Sequence, residues 1–89
     1  MQFKLEPIIA DTTYIFQMDI KSDKAFKFTV IERNPNGNRN SLITVPANDW
    51  NTYTVTHTTT TGSTYINFFV NPIEANATIY VDNINVNIQ

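Results

Sequence analysis

Apolar and polar residues alternate with a period of two along most of the chain, the pattern of β-strands with one buried face. The first segment, Gln2 to Leu5, sets Phe3 and Leu5 on one side. Pro7 and Asp11 mark a connection. Thr13 to Ile20 follows, with Tyr14, Phe16, Met18 and Ile20 in one phase and Ile15, Gln17 and Asp19 in the other. Lys21 to Lys24 is a polar turn, and Ala25 to Glu32 resumes the alternation with Phe26, Phe28 and Val30 inward and Lys27 and Thr29 outward. These two strands are predicted to form a hairpin.

The strongest turn is Asn34-Pro35-Asn36-Gly37-Asn38, because Asn-Gly suits positive φ and Pro35 presets the entry. A short strand, Ser41 to Val45, leads through a loop over Pro46 to Asp49 that ends at Trp50. Thr52 to Thr58 then sets Tyr53, Val55 and His57 against a row of threonines, and Thr58 to Gly62 reads as strand end plus loop. Thr64 to Val70 is apolar on both sides, with Ile66, Phe68 and Val70 against Tyr65, Asn67 and Phe69. Such a strand is central in its sheet or carries a binding surface on one face. Pro72 to Asn76 is a loop. In Thr78 to Ile88 the apolar phase slips between Val81 and Ile84, which predicts a bulge at Asp82-Asn83. About seven strands with short loops and no helical period predict an all-β antiparallel β-sandwich, one domain over residues 1–89.

Composition narrows the function classes. A core in a chain of 89 residues must be built mainly from six Phe, four Tyr, one Trp and the Ile and Val set. With no Cys, disulfides and thiolate chemistry are excluded. A net charge of -2 argues against nucleic acid as a partner, and no polybasic patch or long apolar run points to a membrane. Met1 to Pro7 lacks the basic start and apolar stretch of a signal peptide, so none is expected there. Asn and Thr are abundant, which makes the surface rich in amides and hydroxyls.

Three segments resemble jelly-roll carbohydrate-binding modules of the type appended to xylanases and cellulases. Tyr14-Ile15-Phe16-Gln17-Met18-Asp19-Ile20-Lys21-Ser22 resembles one of their strands. Asp49-Trp50-Asn51-Thr52-Tyr53 is similar to a strand entry with Trp and Tyr three apart, and Ala77 to Val86 is similar to their closing strand. The resemblance covers the later part of such a module, since the usual N-terminal motif has no counterpart here. It implies a jelly-roll-like sandwich that binds a polysaccharide or surface glycan without catalysis. The parent protein is then extracellular or on a virion surface. Family members often hold calcium through the N-terminal segment and an Asp of the closing strand. Asp82 matches that Asp but its partners do not occur, so neither metal nor other cofactor is expected. The missing strands imply either a compact variant or an open sheet edge covered by a second copy of the chain or by a neighbouring domain.

Candidate chemistry is sparse. The single His, His57, shares phase with core residues and reads as structural or solvated. Ser22, Ser41 and Ser63 lack a nucleophile-elbow context, the acids are scattered, and Gly37 and Gly62 are too far apart for a phosphate loop. The chain is therefore read as a non-enzyme. Sugar recognition asks for flat aromatic faces flanked by amides and carboxylates. Gln17, Asp19, Tyr65, Asn67 and Tyr80 lie in outward phases and would form one such face if their strands are neighbours. Trp50 is the sixth candidate: exposed, it would be a stacking platform, whereas the resemblance implies that it packs into the sandwich end. The other reading is a structural or assembly domain of a phage tail fibre or another surface protein, in which this face meets a neighbouring chain.

Overall fold

A computed structural model describes residues 2–89. Its strands are β1 (Gln2–Leu5), β2 (Thr13–Ser22), β3 (Phe26–Arg33), β4 (Arg39–Val45), β5 (Asn48–Thr58), β6 (Tyr65–Pro72) and β7 (Ile79–Ile88). They form two sheets, ordered β1-β6-β3-β4 and β5-β2-β7, and every pair is antiparallel. The described residues contain no helix. The fold is the expected antiparallel β-sandwich, and the chain interleaves its two sheets as it winds.

One expectation is corrected. β2 and β3 are not a hairpin: β2 pairs with β5 and β7, while β3 pairs with β4 and β6. Packing of the two sheets sets the partners, and a local turn at Ser22 makes the crossing between them. The Ser22 hydroxyl donates to the Lys24 carbonyl at 2.6 Å and accepts the Lys24 amide at 3.3 Å. This local turn carries the chain from one sheet to the other instead of folding it back in the same one. The β3–β4 pair is a true hairpin around the Asn-Gly turn, where the Gly37 amide donates to the Asn34 carbonyl at 3.0 Å with φ at 132°.

The alternating phases become the two walls of the core. β2 contributes Tyr14, Phe16, Met18 and Ile20, β3 contributes Phe26, Phe28 and Val30, and Val45, Val55, Ile66 and Phe68 complete it. Phe68 bridges the sheets, with its ring 5.0 Å from Phe16 and 5.3 Å from Phe3. Each such buried aromatic stabilises the fold by about 2–3 kcal/mol relative to exposure. Tyr14 is buried as its phase requires, and Tyr53 is half-buried with its ring edge on Phe26.

At one end of the sandwich the core turns polar. Glu32 on β3 is fully buried, and His57 on β5 nearly so. Nε2 of His57 lies 2.6 Å from one carboxylate oxygen, and Oγ of Ser41 lies 2.7 Å from Nδ1. The other carboxylate oxygen accepts the Thr60 amide at 3.0 Å, the Thr60 hydroxyl at 2.7 Å and the Ser63 hydroxyl. The threonine-rich run is therefore an ordered loop that closes this end. Thr59, which is also buried, donates to the Ile9 carbonyl at 2.6 Å and accepts the Thr12 amide at 3.1 Å.

Candidate functional site

The outer face of the β5-β2-β7 sheet collects four of the six candidates. On β2 the outward residues are Ile15, Gln17, Asp19 and Lys21, each opposite the phase of the core. On β5, Thr52, Thr54 and Thr56 stand beside them in register with Asp19, Gln17 and Ile15. On β7, Asn87, Asn85 and Asp82 pair with Ile15, Gln17 and Asp19, and Tyr80 pairs with Lys21. Between Gln17 and Asp19 the register slips by one residue on β7, and Asn83 there has φ at 50°. This is the bulge expected from the phase slip. It lets Ile79 and Val81 face inward on one side of it and Ile84, Val86 and Ile88 on the other.

The polar groups on this face are tied sideways across the strands. Gln17 donates to the Thr54 hydroxyl at 3.1 Å. Asp19 accepts the Thr52 hydroxyl at 2.5 Å and the Asn83 side-chain amide at 2.7 Å. The bonds from Asn83 and Thr52 lower its pKa, with partial burial opposing. Asp19 is thus a fixed, half-buried anion with acceptor capacity left over.

Trp50 closes one end of the face, and its expected burial is corrected: it is 49% exposed. The cause is the period of two. Tyr53, Val55 and His57 face inward, so Trp50, three residues before Tyr53, shares the outward phase of the threonines. Its ring centroid lies 6.4 Å from that of Tyr80, at 46°, and Tyr80 is 55% exposed. Two exposed aromatic rings from β5 and β7 thus meet across β2. Beside Tyr80 is a depression of about 490 Å3, walled by Lys21, Asp49 and Asn48. Lys21 Nζ is 3.8 Å from the Asp49 carboxylate. The side-chain oxygen of Asn48 is buried there and has no hydrogen-bond partner among the described residues, while its nitrogen donates to Tyr53 Oη.

Tyr65 and Asn67 do not join this face, which corrects the expectation of one face shared by Gln17, Asp19, Tyr65, Asn67 and Tyr80. Both lie on β6, in the other sheet, and point to the opposite outer surface. Asn67 is buried between neighbours and accepts Arg33 Nε at 2.8 Å. The half-buried ring of Tyr65 is covered by Lys4 Nζ, 4.4 Å from its centroid. An outward phase alone does not say which of two outer surfaces a strand faces. Lys21, Thr52, Asn48 and Asn83 were the residues missed. The signal available for Lys21 and Thr52 was their outward phase, shared with Asp19.

The line Ser41–His57–Glu32 has the bonding order of a hydrolase triad. It is enclosed by the loop over Thr59 to Thr64 and joins β3, β4 and β5. Its visible work is to clamp the two sheets at that end. Among the described residues no group of three or more His, Cys, Asp or Glu is placed to hold a metal ion. Asp82 instead accepts its neighbour's amide, from Asn83, at 2.8 Å. No protein-family model matches this chain, and no curated protein matches it either.

Proposed function

We propose that this domain is a non-catalytic carbohydrate-binding module that recognises a glycan on the outer face of the β5-β2-β7 sheet. The observation that carries the reading is the pair of exposed rings, Trp50 and Tyr80, set at the end of a ladder of fixed hydroxyls, amides and one carboxylate. Aromatic faces bury the apolar C–H side of a sugar ring, and the ladder offers donors and acceptors for its hydroxyls. Gln17 and Asp19 are the polar candidates within that face. Such a module works outside the cell or on a virion, holding a larger protein near a polysaccharide.

A glycan array followed by titration calorimetry tests the reading. Trp50→Ala and Tyr80→Ala each weaken binding at least about tenfold, the loss of roughly 1.4 kcal/mol. Because both rings are about half exposed and lean on each other, each change lowers fold stability by about 0.5–1.5 kcal/mol, too little to unfold the domain. A folded wild-type sample that binds no glycan on the array rules the reading out. The assembly-domain reading stands second, favoured by the open edge of β7.

A further inference from the structure

β7 has one neighbour, β2, and no described strand pairs with its other edge. The Gln89 amide donates to the Thr13 carbonyl at 3.0 Å, so residues of that parity turn their backbone groups toward β2. In an antiparallel ladder the alternate residues then turn theirs away. Ile84, Val86 and Ile88 therefore present free N–H and C=O groups at the open edge. Their side chains lie on the core side of the sheet, since Val86 and Ile88 pair with Phe16 and Tyr14. The sandwich does not cover them fully: Ile84 is 39% and Ile88 56% exposed.

Edges of this kind are normally guarded by charge, proline or shortness. β1 is short and carries Lys4, β4 opens on Arg39, and β5 carries Asp49. From Asn83 to Ile88, β7 has no charge and no proline. The run Ile84-Asn85-Val86-Asn87-Ile88 also reads the same in both directions. An antiparallel strand pair centred on Val86 would set Ile84 opposite Ile88, Val86 opposite Val86 and Asn85 opposite Asn87. The apolar residues fall on one face and the amides on the other, and the pairs that meet through free backbone groups are the apolar ones.

We propose that the β7 edge is a self-association surface, on which a second copy of this chain pairs antiparallel about a two-fold axis at Val86. The two three-stranded sheets join into one continuous sheet, and the exposed isoleucines close over each other. The inference stands on the edge and its sequence symmetry, independently of any glycan.

Sedimentation velocity and light scattering across a wide concentration range test it. The wild-type chain is expected to show twice the monomer mass, with the Ile84, Val86 and Ile88 amides losing hydrogen-exchange protection on dilution. Ile84→Lys with Ile88→Lys places like charges opposite each other and halves the mass. Ile84→Lys with Ile88→Glu places opposite charges in register and restores it. Circular dichroism and tryptophan fluorescence confirm that each variant is folded. A wild-type monomer at every concentration overturns the proposal. So does a dimer unmoved by the double lysine, which places the contact elsewhere, or a folded Lys/Glu variant that stays monomeric, which rules out the register. Protection of the three edge amides in a monomer assigns the edge to another segment and equally overturns it.

Discussion

At the scale of single residues, Glu32 is a carboxylate fully buried at one end of the core. Burial raises its pKa, but hydrogen bonds from Ser63, His57 and Thr60 outweigh that and hold the carboxyl at about 2, below the usual 4.5. A carboxylate with a depressed folded-state pKa contributes stability that is present above its unfolded value and lost as pH falls through the folded one. Urea midpoints are therefore expected to drop as pH is lowered from about 4.5 to about 2. Glu32→Gln removes the carboxylate that Ser63, Thr60 and His57 bond and should cost on the order of 1.5–3 kcal/mol at neutral pH, with a flatter pH profile across that window. A glutamine variant as stable as wild type at neutral pH would show that the clamp adds no net stability. His57 was legible only as a core-phase residue. Its partner Glu32 lies on a different strand, and no local pattern announces a pair formed across two sheets.

At the scale of elements, the strands themselves were readable and their partners were not. The period of two placed Phe16, Phe28 and Ile66 inward without reference to any neighbour. The Ser22 turn could not be told from a hairpin turn by its polarity, because sheet membership is decided by packing on the far side of the core. Tyr65 and Asn67 fall on the other outer surface for the same reason, and Trp50 follows the phase it shares with Thr52 instead of the burial that the resemblance implies. The bulge in β7 was readable, since a slip in apolar phase has few other causes. Asn83 holds it with positive φ, a conformation that costs a β-branched residue about 1–2 kcal/mol and glycine little. Asn83→Val is thus expected to lower stability by about that amount and to disorder Asp19, which loses its amide partner. Asn83→Gly should keep stability near wild type, and thermal melts of the two variants separate the backbone effect from the lost hydrogen bond.

At the scale of the whole molecule, the two proposals combine. A two-fold axis normal to the joined sheet keeps both outer faces on the same side. Tyr80 lies six positions before Val86 in the chain, or roughly 20 Å along the strand, so the two aromatic pairs would sit roughly 40 Å apart. Binding to an insoluble polysaccharide or a glycan-coated surface should then exceed that of the monomeric Ile84→Lys, Ile88→Lys variant by about 10²-fold or more through effective concentration. Affinity for a short soluble oligosaccharide should be the same for both, and equal retention on the surface would count against two-site engagement. The interleaved winding has a further consequence, in the order of folding events. Among the described strands only β3 and β4 are neighbours both in sequence and in a sheet. Every other pairing must close a long loop before any contact repays it, so the entropy is spent early and the gain comes late. β2 stays without a partner until β5 or β7 arrives, and β1 until β6 does. The hairpin at Asn34 to Gly37 is the one place where this chain can begin to fold cheaply.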